Sequence, residues 1–212
     1  MKKILLILGF MIISACSSTQ FVDSWSNRQI PSFQPQKLLV LGMTKNLTAR
    51  KIFEERLTTA FVKRNINAVE SSSEIDRNFT DSQKSESEID AMKDKLIEDG
   101  YDAVAITAVI GVDDKRVYRS GTYYPMGFGW YRFGRYYYRY QGMYYDPGYY
   151  DHYKVYHVET SIYNLQEDEE KSLVWVGSFN IVDPESITVT VNDYVEQIVK
   201  QLEKDGIVDR IE

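Results

Sequence analysis

Residues 103–112 read AVAITAVIGV, and no other stretch constrains the fold as strongly. In an extended chain Val104, Ile106, Ala108 and Ile110 fall on one side, and Ala105, Thr107 and Val109 on the other. A strand that is apolar on both faces must be covered on both, which calls for a central place in a sheet with helices packed on it. The flanking segments supply the rest. Residues 37–43 form a short apolar run suited to a buried strand. Phe53, Leu57, Ala60 and Phe61 then recur at helical spacing, with Thr48 placed to cap the helix. Residues 68–70 suit a short strand, and residues 71–87 are Ser-rich and polar, a loop with room for one irregular turn. Ile89, Met92, Leu96 and Ile97 mark a second helix closed by Gly100. Residues 155–165 alternate, with Tyr156, Val158, Thr160 and Ile162 against His157, Glu159, Ser161 and Tyr163, as in a half-exposed strand. An acidic turn at 167–170 returns the chain through 173–179 as a hairpin partner. Val191, Tyr194, Val195, Ile198 and Leu202 define a last helix, with Gly206 just past its end. The order β, α, β, α, β, β, β, α predicts an α/β sandwich of two or three layers, with a mixed sheet of about five strands and three helices.

The start of the chain has a different grammar. Lys2 and Lys3 precede an unbroken apolar run over residues 4–13, followed by Ser14, Ala15 and Cys16. A bilayer-spanning helix needs roughly 20 apolar residues, so residues 1–15 read as an export signal. Ile13, Ser14, Ala15 and Cys16 resemble the lipobox of bacterial lipoproteins, in which the thiol is diacylated, the chain is cut before it and the new amino group is acylated. A plain secretory signal that happens to end in cysteine is the alternative. Several acyl chains satisfy the two-signal requirement for stable anchoring, so Cys16 is expected to hold the mature chain on a membrane. Ser17 stands where the inner-membrane retention signal of such lipoproteins would place Asp, which points to the outer membrane and its periplasmic face. Cys16 is also the only cysteine, so the fold has no intramolecular disulfide.

Residues 16–36 are polar, contain Pro31 and Pro35, and read as a tether. Phe21, Val22 and Trp25 would be wasted in a pure linker, so part of this segment is expected to pack on the domain as an edge strand or lid. Residues 37–212 then form a single domain. Cleavage would take the basic count from 25 to 23 against 31 acidic side chains, a formal charge of −8. That balance, together with export, makes nucleic acid a poor partner.

The charge is not evenly spread. Between the central strand and its neighbour, residues 115–154 hold 13 of the 17 tyrosines and seven basic residues against Asp146 and Asp151, a net +5 that leaves −13 elsewhere. Six glycines interrupt this insertion. Residues 130–140 suit a hairpin, with Tyr136, Tyr138 and Tyr140 on one face and Phe133, Arg135, Tyr137 and Arg139 on the other, next to Arg132. Both faces are aromatic, so the segment lacks the inside and outside of a core strand. Tyr and Arg give large contacts at low entropic cost, which makes Arg132, Phe133, Arg135, Tyr136, Tyr137, Tyr138, Arg139 and Tyr140 a candidate binding surface. Peptidoglycan, anionic lipid headgroups or an envelope protein fit its chemistry. A low-complexity, partly disordered decoration is the plainer alternative.

Catalytic signals are weak. His152 and His157 are the only histidines, and Glu159 shares a strand face with His157, but five-residue spacing puts the two histidines on opposite faces and argues against a metal site. Gly-x-Ser-x-Gly, P-loop and dinucleotide motifs are missing. No catalytic residue, metal or cofactor is assigned.

With its segments placed, the chain resembles a group of uncharacterised Gram-negative outer-membrane lipoproteins. The residues that carry the likeness are Ser24 and Trp25, residues 38–42, Glu55, Gly100 with Tyr101, Asp102 and Ala103, then Glu159, Thr160, Ile162 and Tyr163. Leu173, Val174 and Trp175, Asp183 and Pro184, and Leu202 with Lys204, Asp205, Gly206 and Ile207 complete it. At fold level the order of elements is similar to the N-terminal domain of TolB and to the curli-secretion lipoprotein. The resemblance implies a non-enzymatic, lipid-anchored binding or assembly module of the envelope. An envelope hydrolase using carboxylates, or a self-associating coat protein, are the competing expectations.

Overall fold

The strand that begins at Ala103 lies inside the sheet, and it is longer than its apolar core requires. A computed structural model describes residues 18–30, 33–44, 46–75, 84–119, 149–166, 172–184 and 186–211. Six strands and four helices form within them: β1 (Thr19–Ser26), β2 (Leu38–Met43), α1 (Leu47–Val62), β3 (Ala68–Glu70), α2 (Ser71–Glu74), α3 (Glu86–Glu98), β4 (Ala103–Arg119), β5 (Tyr149–Asn164), β6 (Leu173–Val182) and α4 (Ile187–Lys204). The strands make one mixed sheet in the order β1-β6-β5-β4-β2-β3. β2 is parallel to both β3 and β4, and the β4-β5-β6-β1 half is antiparallel throughout. The sixth strand is β1, the edge strand expected inside the tether, and the fourth helix is the single turn α2 in the Ser-rich stretch.

Both faces of β4 are covered over its first part, as its apolar alternation demands, whereas Val109, Ile110 and Val112, expected to be covered too, are exposed where the strand passes the end of its neighbour β2. Ala103 and Ala105 join Leu38, Val40, Val158, Ile162 and Phe179 under α1 and α4, which supply Phe53, Leu57, Phe61, Tyr194, Ile198 and Leu202. On the opposite face Val104 and Ile106 pack with Leu39, Leu41, Leu96 of α3 and Tyr101. The buried Tyr194 hydroxyl meets Thr160 at 2.6 Å, and Thr160 meets Thr107 at 2.5 Å, so the polar atoms of the larger core are bonded to one another across β4, β5 and α4.

The helix ends follow local chemistry. α1 is capped by Asn46, whose Oδ1 accepts from the Ala49 amide at 3.0 Å; Thr48 lies one residue inside the helix. Asn46 has the orphan amide of the third helical residue in reach, which Thr48 does not. α3 starts with a reciprocal capping box between Ser85 and Glu88. Its stripe is narrower than the spacing implies: Met92 and Leu96 pack inward, whereas Ile89 stays exposed. Gly100 adopts φ +84° and turns the chain from α3 into β4.

Strand polarity gives the sheet two unlike ends. Asn164, Gly100, Asn65 and the C-termini of α1, α3 and α4 lie at one end. The other end, called the upper end here, holds Ser18, Met43, Val182 and the N-termini of α1 and α4. From that upper end β4 and β5 continue together. The β5-β6 ladder stops at Val155, whereas the β4-β5 ladder runs on to Arg119 paired with Tyr149. The six positions beyond Asp113 on each strand form a two-stranded ribbon about 20 Å long. Residues 115–119 and 149–154, assigned by sequence to an insertion, are therefore regular strand.

Trp175 fixes one packing requirement. A Cβ at Gly177 would lie 2.3 Å from Cη2 and 2.6 Å from Cζ2 of the fully buried Trp175 ring. Gly177→Ala is expected to push the ring out of its slot and destabilise the fold by about 1–3 kcal/mol, read as a lower urea midpoint, with the ribbon unaffected. An unchanged midpoint would show that the ring can relocate without loss.

Candidate functional site

Four places could do chemistry or make contacts: the upper-end crevice, the open half of the sheet, the groove beside β1, and the ribbon. Each is built from elements already placed.

The crevice comes first, because open α/β sheets bind ligands beyond the carboxyl ends of parallel strands where the winding changes direction. Here β2 is followed by α1 on one face, and the connection through α3 to β4 crosses on the other. The position is filled by the protein itself. The Glu54 carboxylate, fully buried, accepts from the Gly42 amide at 3.1 Å, the Ser72 amide at 3.0 Å, Ser71 Oγ at 2.6 Å and Arg50 Nε at 2.8 Å. Arg50 also donates to Ser71 Oγ at 2.8 Å. An anion cradle therefore exists, with Glu54 as its occupant.

On the open half of the sheet, opposite α1 and α4, β5 and β6 present polar side chains. His157 Nδ1 lies 2.7 Å from Asn180 Oδ1, and its Nε2 lies 3.4 Å from Asp113 Oδ2. Glu159 is on the same face and accepts from Ser161 at 3.4 Å. His152 is paired with Arg116 out on the ribbon, five strand positions from His157, which is about 16 Å. That separation keeps the two histidines from sharing an ion. Among the described residues no three His, Cys, Asp or Glu side chains converge as metal ligands.

The groove beside β1 is lined by Ser24, Trp25, Ser26, Asn27, Arg28 and Gln29. Beneath it sits a second carboxylate with several donors. Asp205 accepts from Ser24 Oγ at 2.7 Å, Trp175 Nε1 at 2.8 Å and Gln201 Nε2 at 2.8 Å, and Gln201 also donates to Ser24 at 3.0 Å. Burial acts to raise the pKa of Asp205, but the three donors outweigh it and hold the carboxyl below its ordinary value. Among the described residues Glu88 is also displaced, lowered by the Ser85 amide and hydroxyl in the α3 cap. Both do structural work. Several residues that carry the family resemblance have the same explanation: Ser24, Trp175 and Asp205 form this clamp, and Asp102 accepts from the amides of Gln36 and Lys37 at 2.8 and 3.0 Å.

The assigned site residues lie elsewhere. Ile13, Ser14, Ala15 and Cys16, and the candidate surface Arg132, Phe133, Arg135, Tyr136, Tyr137, Tyr138, Arg139 and Tyr140, fall outside the described residues. The structure supplies their attachment points. The chain after Cys16 is held at the upper end by the Ser18 carbonyl, which accepts from the Val182 amide at 2.9 Å. Residues 120–148 are carried at the tip of the ribbon.

No family model matches the sequence, and no curated protein is significantly similar to it. Solved structures align with much of the chain. The PelC dodecamer from Paraburkholderia phytofirmans aligns over 87% of this chain and 94% of its own, at 10% identity and a TM-score of 0.40. The lipoprotein GNA1162 from Neisseria meningitidis aligns over 80% of this chain and 99% of its own, at 11% identity and a TM-score of 0.42. Among the described residues no helix is long and apolar enough to cross a membrane.

The Asp205 clamp has a pH signature. A carboxyl whose folded pKa is depressed contributes stability above its unfolded pKa, about 3.9, and loses it as pH falls through the folded value. Asp205→Asn should therefore be less stable than wild type near neutral pH, with the gap closing in acid below about pH 4. A gap that stays constant from pH 6 to pH 2 in urea titrations would rule the charge out of the clamp.

Proposed function

We propose that the chain is a non-enzymatic module of the Gram-negative cell envelope, acylated at Cys16, held on the periplasmic face of the outer membrane, and making its contacts through the basic, Tyr-rich segment at the tip of the β4-β5 ribbon. The observation that carries this reading is the ribbon. Two strands leave the sheet together and run six positions beyond every neighbour, with Lys115 opposite Tyr153, Arg116 opposite His152, Tyr118 opposite Tyr150 and Arg119 opposite Tyr149. A two-stranded ribbon is marginally stable in water on its own, so such an extension is useful mainly where something meets it. Peptidoglycan, anionic headgroups or an envelope protein have the chemistry to stack on Tyr and pair with Arg.

Further support comes from what the carboxylates are used for. Glu54 neutralises Arg50 in the crevice, Asp205 clamps β1, and Glu88 caps α3. These roles favour a binding module over a hydrolase that would need two carboxylates converging on a cleft.

Replacing residues 120–148 with a short Gly-containing turn should leave the urea midpoint of the domain within about 0.5 kcal/mol of wild type while abolishing sedimentation with peptidoglycan and with vesicles. Undiminished sedimentation would move the contact surface off the ribbon tip. Separately, Cys16→Ala should lose incorporation of labelled palmitate and leave the membrane fraction, and retention of both would refute the anchor.

A further inference from the structure

Exposed large apolar side chains occur singly at Trp25, Val62, Ile89 and Ile211, but a group of them gathers at one end of the sheet. Leu47, Val109, Ile110, Val112, Ile187 and Val189 are each between 42% and 63% exposed, and all six lie at the upper end. Leu47 opens α1, Ile187 and Val189 open α4, and the other three sit where β4 leaves the sheet, with Ile110 at the bulge between Val109 and Gly111. A rim of this kind, drawn from three separate elements at one end, marks a contact surface rather than the single exposed residues found on any soluble protein.

What covers it follows from where the chain enters. We infer that this upper rim docks on the surface of a phospholipid bilayer, so that the domain stands on the membrane instead of hanging from a tether. The inference rests on the anchor reading for Cys16. Ser18 is already part of the fold: its carbonyl accepts from the Val182 amide at 2.9 Å, and its amide donates to Asp193 Oδ2 of α4 at 3.3 Å. Only Ser17 intervenes between it and Cys16, and two residues of extended chain span about 7 Å. A lipid inserted at Cys16 thus brings the upper end against the headgroup layer with no slack, and the apolar rim is the part of the domain that reaches it. Charge is not the attraction, because the described rim carries Asp113 and Asp183 as well as Lys154. The contact is apolar, at the depth of the headgroup and acyl boundary.

The ribbon constrains the pose. Beyond Lys154 its outer edges have no strand neighbour among the described residues, and the backbone groups of an open edge cannot enter hydrocarbon. It therefore lies along the headgroups, and its alternation of Lys and Arg with Tyr in register suits that layer. The long axis of the sheet is tilted on the membrane accordingly.

The test uses the processed, acylated protein reconstituted in phosphatidylcholine vesicles, with and without phosphatidylglycerol. Acylation blocks the thiol of Cys16, so a cysteine introduced by Ile187→Cys, Val189→Cys, Val62→Cys or Ile211→Cys is the only group available to an environment-sensitive fluorophore. Probes at 187 and 189 should shift to the blue and be quenched by nitroxide-labelled lipid in both vesicle types. Probes at the exposed but lower-end positions 62 and 211 should stay water-like and be quenched by aqueous iodide. Equal responses at the two ends would overturn the docking, and so would a blue shift at 189 that follows protein density while ignoring the nitroxide lipid, since a second copy would then be the cover. Labelling of the unsubstituted chain would show a free Cys16 thiol, which overturns the anchor reading and the reach argument together.

Discussion

The antiparallel pairing of β1 with β6 fixes the end of the sheet at which the chain enters the domain. β1 is an edge strand of mixed character, and little in its own sequence would hold it in place. It is held by what it meets: Thr19 lies opposite Ile181, Phe21 packs edge-on against the Phe179 ring with centroids 5.7 Å apart, and Ser24 joins the Asp205 clamp. Asp205 in turn ties Trp175 of β6 and Gln201 of α4 to the same carboxylate. One hydrogen-bonded hub thus converts a stretch of polar chain into sheet, and fixes Ser18 at the end from which the ribbon leaves. Without that pairing the segment from Thr19 to Ser26 would be a tether, and the chain would have no fixed point of entry into the domain.

A second constraint is the buried Arg50–Glu54 pair. Ion pairs in a protein interior return little net stability, and removing one partner is far more damaging than replacing both. Here the pair and Ser71 fill the crevice at the carboxyl end of β2, where this class of sheet ordinarily receives a ligand. The usual cleft is closed by the protein's own charges. The ribbon, the apolar rim beside it and the groove along β1 are the candidate surfaces for contacts.

Much of this was legible in the sequence because it obeys simple periodicities. The two-sided apolar run from Ala103 predicted the central strand, and Phe53, Leu57 and Phe61, or Tyr194, Ile198 and Leu202, predicted the buried helix faces. β1 was legible only as an anomaly, three large apolar residues in a polar segment, because its partners on β6 and α4 lie far away in the chain, from Trp175 onward. The extent of the ribbon was hidden for another reason. Residues 115–119 and 149–154 are too basic and aromatic to show an inside and an outside, so alternation gave no signal, and pairing with each other is what makes them strand. The helix starts had readable signals that periodicity alone passes over: Asn46 beside Leu47, and Ser85 three residues before Glu88. The Glu54 cradle had none, because its four donors come from three separate places in the chain and two of them are backbone amides. The lipid anchor and the Tyr-Arg surface remain readings of sequence, to which the structure adds their common end.

Ser18, the apolar rim and the ribbon share one end of the sheet, and it is this end that we propose faces the membrane. Hydrogen exchange on the acylated protein, with and without phospholipid vesicles, measures this most directly. Amides of residues 110–119, 149–155 and 187–190 should exchange more slowly on vesicles, while those around Asn65, Gly100 and Gly206 at the opposite end keep their rates. Protection at that opposite end, or uniform rates with bound vesicles, would contradict it.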